Sequence, residues 1–417
     1  MKLDLTDMLY ALSFALDEVE MEILGVETGH GKRVAYLSVL MGKEAGFRRE
    51  ELRDFAGCCI LHDNALTEFI HEELAQSPVS EEMSRQLSGV ISMEDMTMNS
   101  RHSVIGEQNI RLMPFRTDVK DVILYHHENA DGTGAMKKTA AETGLKSQIL
   151  HLADVIDMRS HLSDMTEQEF EKLGVWVESQ SGRMFSQDAV QLFQKAVDYE
   201  KICSLEINRV IDYLKKELPE EEYDYSDEEI HHIAEMFAKI VDYKSEFTQM
   251  HSMGVAAKAE QMAHYYNFDS EKAIRYFFAG AMHDIGKLVV SNDILEKPAR
   301  LTNDETAVMQ THVSATYYIL SQMKNIPDII EWASNHHEKL NGAGYSRGLS
   351  ADDLSLEDRL MACIDIYQAL TEKRPYKDGM SHEQAIEIMQ DMARKGYIDE
   401  SIVGDMNVVM SDNMAKS

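Results

Sequence analysis

Apolar residues recur along this chain at three- and four-residue steps. Leu5, Met8, Leu9, Leu12, Leu16, Val19 and Ile23 fall on one helical face at that spacing, which predicts an amphipathic opening helix. Val190, Phe193 and Val197 repeat the pattern before the middle of the chain, and Ile233, Met236, Phe237, Ile240 and Val241 repeat it after. The strict alternation of a half-buried strand is scarce. With 6 Pro and 22 Gly in 417 residues, few positions break a helix or force a turn, so the predicted fold class is all-α. The stretch 215–229 interrupts the pattern with a Pro and an acidic run and reads as a solvated connector. Ser226 followed by Glu229 is a capping box that starts the next helix. Two domains, 1–222 and 223–417, are therefore expected.

Charge narrows the partners. Against 41 basic residues stand 73 acidic ones, a formal charge of −32. A field of that sign repels nucleic-acid polymers and anionic membranes, because phosphate contact needs a positive face. An anionic substrate would have to be held by a local cluster of metal ions and a few cations. The 4 Cys, with Cys58 and Cys59 adjacent, do not form a disulfide framework and point to a reducing compartment. The first residues lack a basic leader, and no apolar run reaches the length of about 18 residues that a membrane helix needs. The expected location is cytoplasmic. The 27 Met read as core filler.

The chemistry lies in a repeat. His30 and His251 each precede a His-Asp pair, His62-Asp63 and His283-Asp284, by 32 residues. His102 and His312 each precede a His-His pair, His126-His127 and His336-His337, by 24 residues, and Asp154 and Asp365 close the two series. Chance does not reproduce such spacings twice, so the chain reads as a tandem duplication of a metal-binding module. Imidazole nitrogens and carboxylate oxygens are the ligands of first-row divalent metals at hydrolytic centres. One ion needs three or four protein ligands. His251, His283, Asp284, His312, His336, His337 and Asp365 are enough for two ions bridged by a carboxylate, with Asp284 as the candidate bridge. A set without Cys favours iron or manganese over structural zinc. Two metals about 3.5–4 Å apart can activate water and stabilise both oxygens of an in-line displacement at phosphorus.

The segments His283-Asp284-Ile285-Gly286-Lys287, His336-His337-Glu338 through Asn341-Gly342-Ala343-Gly344-Tyr345, and Asp365 through Arg374-Pro375-Tyr376 resemble the HD-GYP domain. That family is a subgroup of the HD metal-dependent phosphohydrolases and hydrolyses cyclic di-GMP. The resemblance implies two tandem HD-type helical domains, with a working centre in the second. The ligands above would hold the metals, and Asp284 and Lys287 would be catalytic. Lys287, Tyr345, Arg374 and Lys377 would meet the substrate, and the product would be pGpG, with GMP from a second cut. Two departures qualify it. The signature Gly-Tyr-Pro reads Gly344-Tyr345-Ser346, which opens the alternative of another cyclic dinucleotide, such as cyclic GMP-AMP. The Glu that trinuclear members carry four residues before the first His is Phe247 here, so two metals are expected rather than three.

In the first half, His30, His62, Asp63, His102, His126, His127 and Asp154 form a candidate second metal site, but the cations are gone. Leu66 stands where Lys287 would, and Ser163 and Thr166 stand where Arg374 and Lys377 would. A regulatory or structural domain with a stabilising metal is the expectation. A different class, a nucleotide-signalling adaptor without turnover, would carry no stoichiometric metal in the second half. Paired helical domains are compatible with a homodimer.

Overall fold

The computed structural model describes the chain outside residues 25–27, 67, 70–100, 161, 204, 245–249, 298, 374–377 and 415–417. It is mainly helical, and its one sheet among the described residues pairs β1 (Lys2–Leu3) with β2 (Tyr223–Asp224). The first half contains α1 (Leu5–Leu24), α2 (His30–Glu44), α3 (Arg49–Ile60), α4 (Arg101–Ile110), α5 (Leu145–Arg159), α6 (Glu167–Ser179), α7 (Gln187–Ala196), α8 (Tyr199–Ile202) and α9 (Ile207–Glu217). The second contains α10 (Asp227–Tyr243), α11 (His251–Tyr265), α12 (Ser270–Met282), a 3-10 turn (Ile285–Val289), α13 (Asn292–Leu295), α14 (Asn303–Ser321), α15 (Pro327–Ser334), α16 (Leu356–Thr371), α17 (His382–Arg394) and α18 (Glu400–Met414). No described helix is long and apolar enough to cross a membrane. Cys58, Cys59, Cys203 and Cys363 are free thiols.

The chain divides into two compact units, Asp4–Tyr223 and Asp224–Ser417, and Met1–Leu3 belongs with the latter. The Met1 ammonium donates to Asp224 and to the Tyr225 carbonyl, so the first three residues group with the second half rather than heading the first. Ser226 and Glu229 form the predicted reciprocal cap at the start of α10. The acidic run before it is not simply solvated: Glu221 lies 3.2 Å from Arg53, whose guanidinium also donates to the Pro219 carbonyl.

Helix α1 departs from the amphipathic expectation. Leu5, Met8, Leu9, Leu12 and Leu16 are buried, but so are Thr6, Asp7, Ser13, Asp17 and Glu20. Neighbouring helices surround it, and two of its carboxylates find cations: Asp7 pairs with Lys215 at 2.8 Å, and Asp17 with the buried Lys32.

In the second unit α11 packs along α12. A Cβ on Gly280 of α12 would lie 3.0 Å from the Ala256 Cα of α11, so the glycine permits the close approach. Phe278 of α12 and Leu288 of the 3-10 turn are buried in the same unit, and each contributes ~1.5–3 kcal/mol. Reciprocal caps also set α14 (Thr302 with Glu305) and α16 (Ser355 with Asp358). These helices carry the site.

Candidate metal centre

Each half presents its ligands from five places in the same order. His30 and His251 are the first residues of α2 and α11. His62-Asp63 and His283-Asp284 lie in the turns that follow α3 and α12. His102 and His312 ride on α4 and α14, and Asp154 and Asp365 on α5 and α16. His126-His127 and His336-His337 occupy the turns before glycine-containing loops.

In the second half these residues converge. His251 Nε2 lies 3.1 Å from Asp365 Oδ1 and 3.7 Å from Asp284 Oδ2, and His283 Nε2 is 3.1 Å from the same Asp284 oxygen. The other oxygen of Asp284 faces His312 Nε2 at 3.5 Å and His336 Nε2 at 3.9 Å, and His337 completes that second group. One carboxylate thus joins two ligand sets. The first half repeats the arrangement. Asp63 Oδ2 faces His62 at 3.6 Å, while Asp63 Oδ1 faces His102 and His126 at 4.0 and 3.9 Å. His102 Nε2 and His127 Nε2 are 2.9 Å apart, as two ligands bound side by side on one ion at about 2.1 Å would be.

A metal fits these atoms. His62, His126, His283, His312 and His336 each donate Nδ1–H to the carbonyl three residues earlier, at 2.5–2.8 Å. A carbonyl can only accept, so the free lone pair is on Nε2. Those Nε2 atoms, with Asp63 Oδ1 and Asp284 Oδ1, are buried without a hydrogen-bond partner among the described residues. A buried polar atom left in that state is costly, and an ion removes the cost.

The electrostatics divide each cluster. Burial works to lower the pKa of His251, but hydrogen bonds to Asp365 and Glu372 outweigh it and raise it to about 10. Burial drives His312 and His336 down and takes His337 to about 4, which keeps these rings neutral. Burial would raise Asp284, yet His283 and Lys287 hold it well below the usual carboxylate range. In the first half His62 rises to about 9, as Asp63 and Asp154 overcome burial, while burial takes His126 to about 3.

Lys287 Nζ is 2.5 Å from Asp284 Oδ2, on the edge of the cluster, and 20% of its side chain is exposed. Burial opposes its charge, but Asp284 and then Asp365 keep it protonated. The Tyr345 ring stands 4.8 Å from that of His337. Leu66, at the position of Lys287, is buried and apolar. Arg374, Lys377 and Phe247 lie outside the described residues.

Several residues escaped the sequence reading. Glu372 accepts from His251 Nδ1 at 2.8 Å and aims its Nε2 inward. Asp157 does the same for His30 at 2.7 Å and is held by Arg33. Asp242, raised to about 7 by burial against the pull of Ser252, binds the first turn of α11 through Ser252 Oγ at 2.7 Å. Thr316 Oγ1 donates to the His283 carbonyl at 2.9 Å and accepts from Gly286 N at 3.0 Å, fastening α14 to the His-Asp turn. Glu338 gathers the backbone N–H groups of Arg347, Gly348 and Leu349, as Glu128 gathers those of Met136 and Lys138. The repeat itself held that last signal, a Glu directly after each His-His pair. Glu372 is seven residues, two helical turns, beyond Asp365, so helical periodicity could have found it.

An HD-domain family profile matches residues 28–159, and another matches residues 235–402. The 3′3′-cGAMP-specific phosphodiesterase 1 of Vibrio cholerae is 28% identical over 404 residues, covering 94% of this chain and 89% of that protein. A cyclic di-GMP phosphodiesterase of Pseudomonas aeruginosa is 32% identical over 158 residues, 38% of each chain. The crystal structure of a cyclic GMP-AMP-specific phosphodiesterase of Vibrio cholerae superposes with a TM-score of 0.61 at 22% identity, over 99% of this chain and 98% of that one, which speaks for the fold.

Proposed function

The chain belongs to the HD superfamily, with two HD domains in tandem, and from that premise we propose that it is a metal-dependent phosphodiesterase of cyclic dinucleotides. The observation that carries the reading is Asp284, whose two oxygens face two imidazole groups while Lys287 sits on one of them. Divalent ions held there, iron or manganese by their fit to an all-nitrogen-and-oxygen set, would supply a nucleophilic water at neutral pH and Lewis-acid pull on the phosphoryl oxygens. The protein does the rest. Asp284 and Asp365 fix the ligand spacing, and Glu372 and the backbone carbonyls fix which imidazole nitrogen faces inward. Lys287 holds a positive charge where the phosphodiester transition state gathers negative charge. Tyr345, set against His337, offers a ring face to a purine. Arg374 and Lys377 would add cations from the segment after α16.

The substrate that fits best is 3′3′-cyclic GMP-AMP, opened to a linear dinucleotide. The relative aligned over nearly the whole chain is specific for it, and the Ser346 departure from Gly-Tyr-Pro favours a substrate other than cyclic di-GMP. Cyclic di-GMP, implied by the family resemblance, is the second reading, favoured by relatives that match only part of the chain. Purified chain with Mn(II) or Fe(II) is given each dinucleotide, and linear products are resolved by chromatography. We expect faster cleavage of 3′3′-cyclic GMP-AMP, and none by Asp284→Ala. Faster cleavage of cyclic di-GMP selects the second reading. A wild type as inert as Asp284→Ala on both ends the enzymatic one.

A further inference from the structure

Four cations border one cavity of the first unit, in a chain whose charge balance is strongly acidic. The cavity, about 500 Å³, is lined from the starts of α3 and α5 and from the segment around Thr117, and Arg48, Arg116, Lys120 and Lys146 are on its wall. Acids are there too, but Glu51 is engaged by Arg48 at 2.9 Å, and Asp118 accepts from the Lys120 backbone at 2.9 Å. Phe47, Val122 and Leu145 supply an apolar side. Small-molecule sites run from about 300 to 1,000 Å³, so the space suits a compact ligand. The start of α5 opens onto it. Gly144 gives that helix no side-chain cap, a Cβ there would meet no atom within 4 Å, and Ser147 Oγ donates to the Asp121 carbonyl. A helix start bordered by cations favours an anion.

The second half shows that these cations are particular to the first. Aligned on the two ligand series, the positions of Arg48 and Lys146 are Asp269 and Glu357, and those of Arg116 and Lys120 are Ile326 and Ile330. A shared ring marks the exchange. Phe47 matches Phe268, and Glu51 matches Lys272. In the second half Lys272 lies 4.0 Å over Phe268 and pairs with Glu357. In the first the signs are reversed: Lys146, from the other helix, lies 5.8 Å from the Phe47 centroid and, after Arg48, lowers the Glu51 pKa. At the helix start, Ser355 and Asp358 cap α16 reciprocally, whereas the matching Gly144 and Ser147 leave α5 without that carboxylate. A swapped ion pair explains Lys146 alone. It does not explain a lost cap and three further cations on the same wall, and losing a cap costs stability that a bound anion offsets.

We propose that this cavity of the first unit is a binding site for a small phosphate-bearing anion, held among the four cations at the start of α5. This does not depend on what the second half hydrolyses. In the full chain carrying Asp284→Ala, which disables the second centre, calorimetric titration with GMP, AMP and inorganic phosphate should reveal one saturable site whose affinity falls as salt rises. Adding Lys146→Glu and Ser147→Asp, the second half's pair, should weaken that site by at least ~10-fold, while helicity and melting temperature stay at the parent's values. Lys120→Ile copies Ile330 at an exposed position outside the helices and should weaken it ~2–5-fold, which keeps the test decisive where the double substitution disturbs folding. Tighter binding of GMP or AMP than of inorganic phosphate identifies the ligand as a nucleoside phosphate, and equal binding identifies it as free phosphate. No saturable binding of any of the three probes, or binding unchanged in both variants, overturns the site.

Discussion

The two halves place the same ligands at the same stations and differ in what surrounds them. Beside the His-Asp turn the second half has Gly286 against Thr316. A Cβ on Gly286 would lie 2.0 Å from the His312 carbonyl oxygen. The matching positions in the first half are Ala65 and Gly106, so the small residue has moved from the turn to the helix. Beside the first histidine, Arg33 and Asp157 form a buried ion pair in one half. In the other, Gly254 and Gln368 occupy those places, where a Cβ on the glycine would be 2.3 Å from the glutamine Nε2. The imidazole keeps its carboxylate in both cases, from Asp157 on one side and Glu372 on the other. Ligand geometry has been retained through paired substitutions in its supports. What has not been retained is the cation at the mouth of the cluster.

That contrast can be broken most forcefully at Lys287. Lys287→Leu copies Leu66, and kcat/KM on the cyclic dinucleotide should fall by ~10²–10³-fold while metal content stays at the wild-type value. Metal loss in step with activity would make Lys287 a structural partner of Asp284. Next is the packing exchange. Gly286→Ala should push α14, and with it His312, away from the turn and lower turnover by ~10²-fold. Gly286→Ala with Thr316→Gly should do no better, because the added Cβ meets the His312 carbonyl and the Thr316 backbone nitrogen, and the lost hydroxyl is what ties α14 to the turn; recovery in the double variant would show that side-chain packing alone sets the spacing. Glu372→Gln removes the carboxylate that aims His251 and should weaken metal binding by ~10–100-fold, read by competition with a chelator dye.

The smallest effect is in protons. With its pKa at about 10, His251 is protonated at pH 7 in protein stripped of metal and must lose that proton to bind an ion. Metal uptake should therefore release protons, and apparent affinity should rise with pH from neutrality towards 10. Titration calorimetry in buffers of different ionisation enthalpy measures the release. For folding, a raised histidine pKa adds stability below its ordinary value of about 6.5, and that stability fades as pH rises towards 10.

Much of this was legible from residue order. Helical periodicity depends on local spacing, and the capping box at Ser226 is a contact across three residues, so both were readable before any tertiary contact. The duplication and both ligand series were readable because a repeated spacing is recorded in one dimension. The opening helix was read as amphipathic because its apolar face matches a period, but Asp17 and Glu20 are buried through neighbours that periodicity does not identify.

Residue order alone sets the helical class, the two-fold repeat and the residue types able to hold a metal, since each depends on spacing along the chain. Three-dimensional packing alone sets which oxygen of Asp284 faces which imidazoles, which carboxylate aims each first histidine, that Asp17 and Glu20 are buried, and that one cluster is sealed while the other opens at His337. Those outcomes are set by contacts between residues tens to more than a hundred positions apart, where packing and charge balance, not spacing, choose the partner.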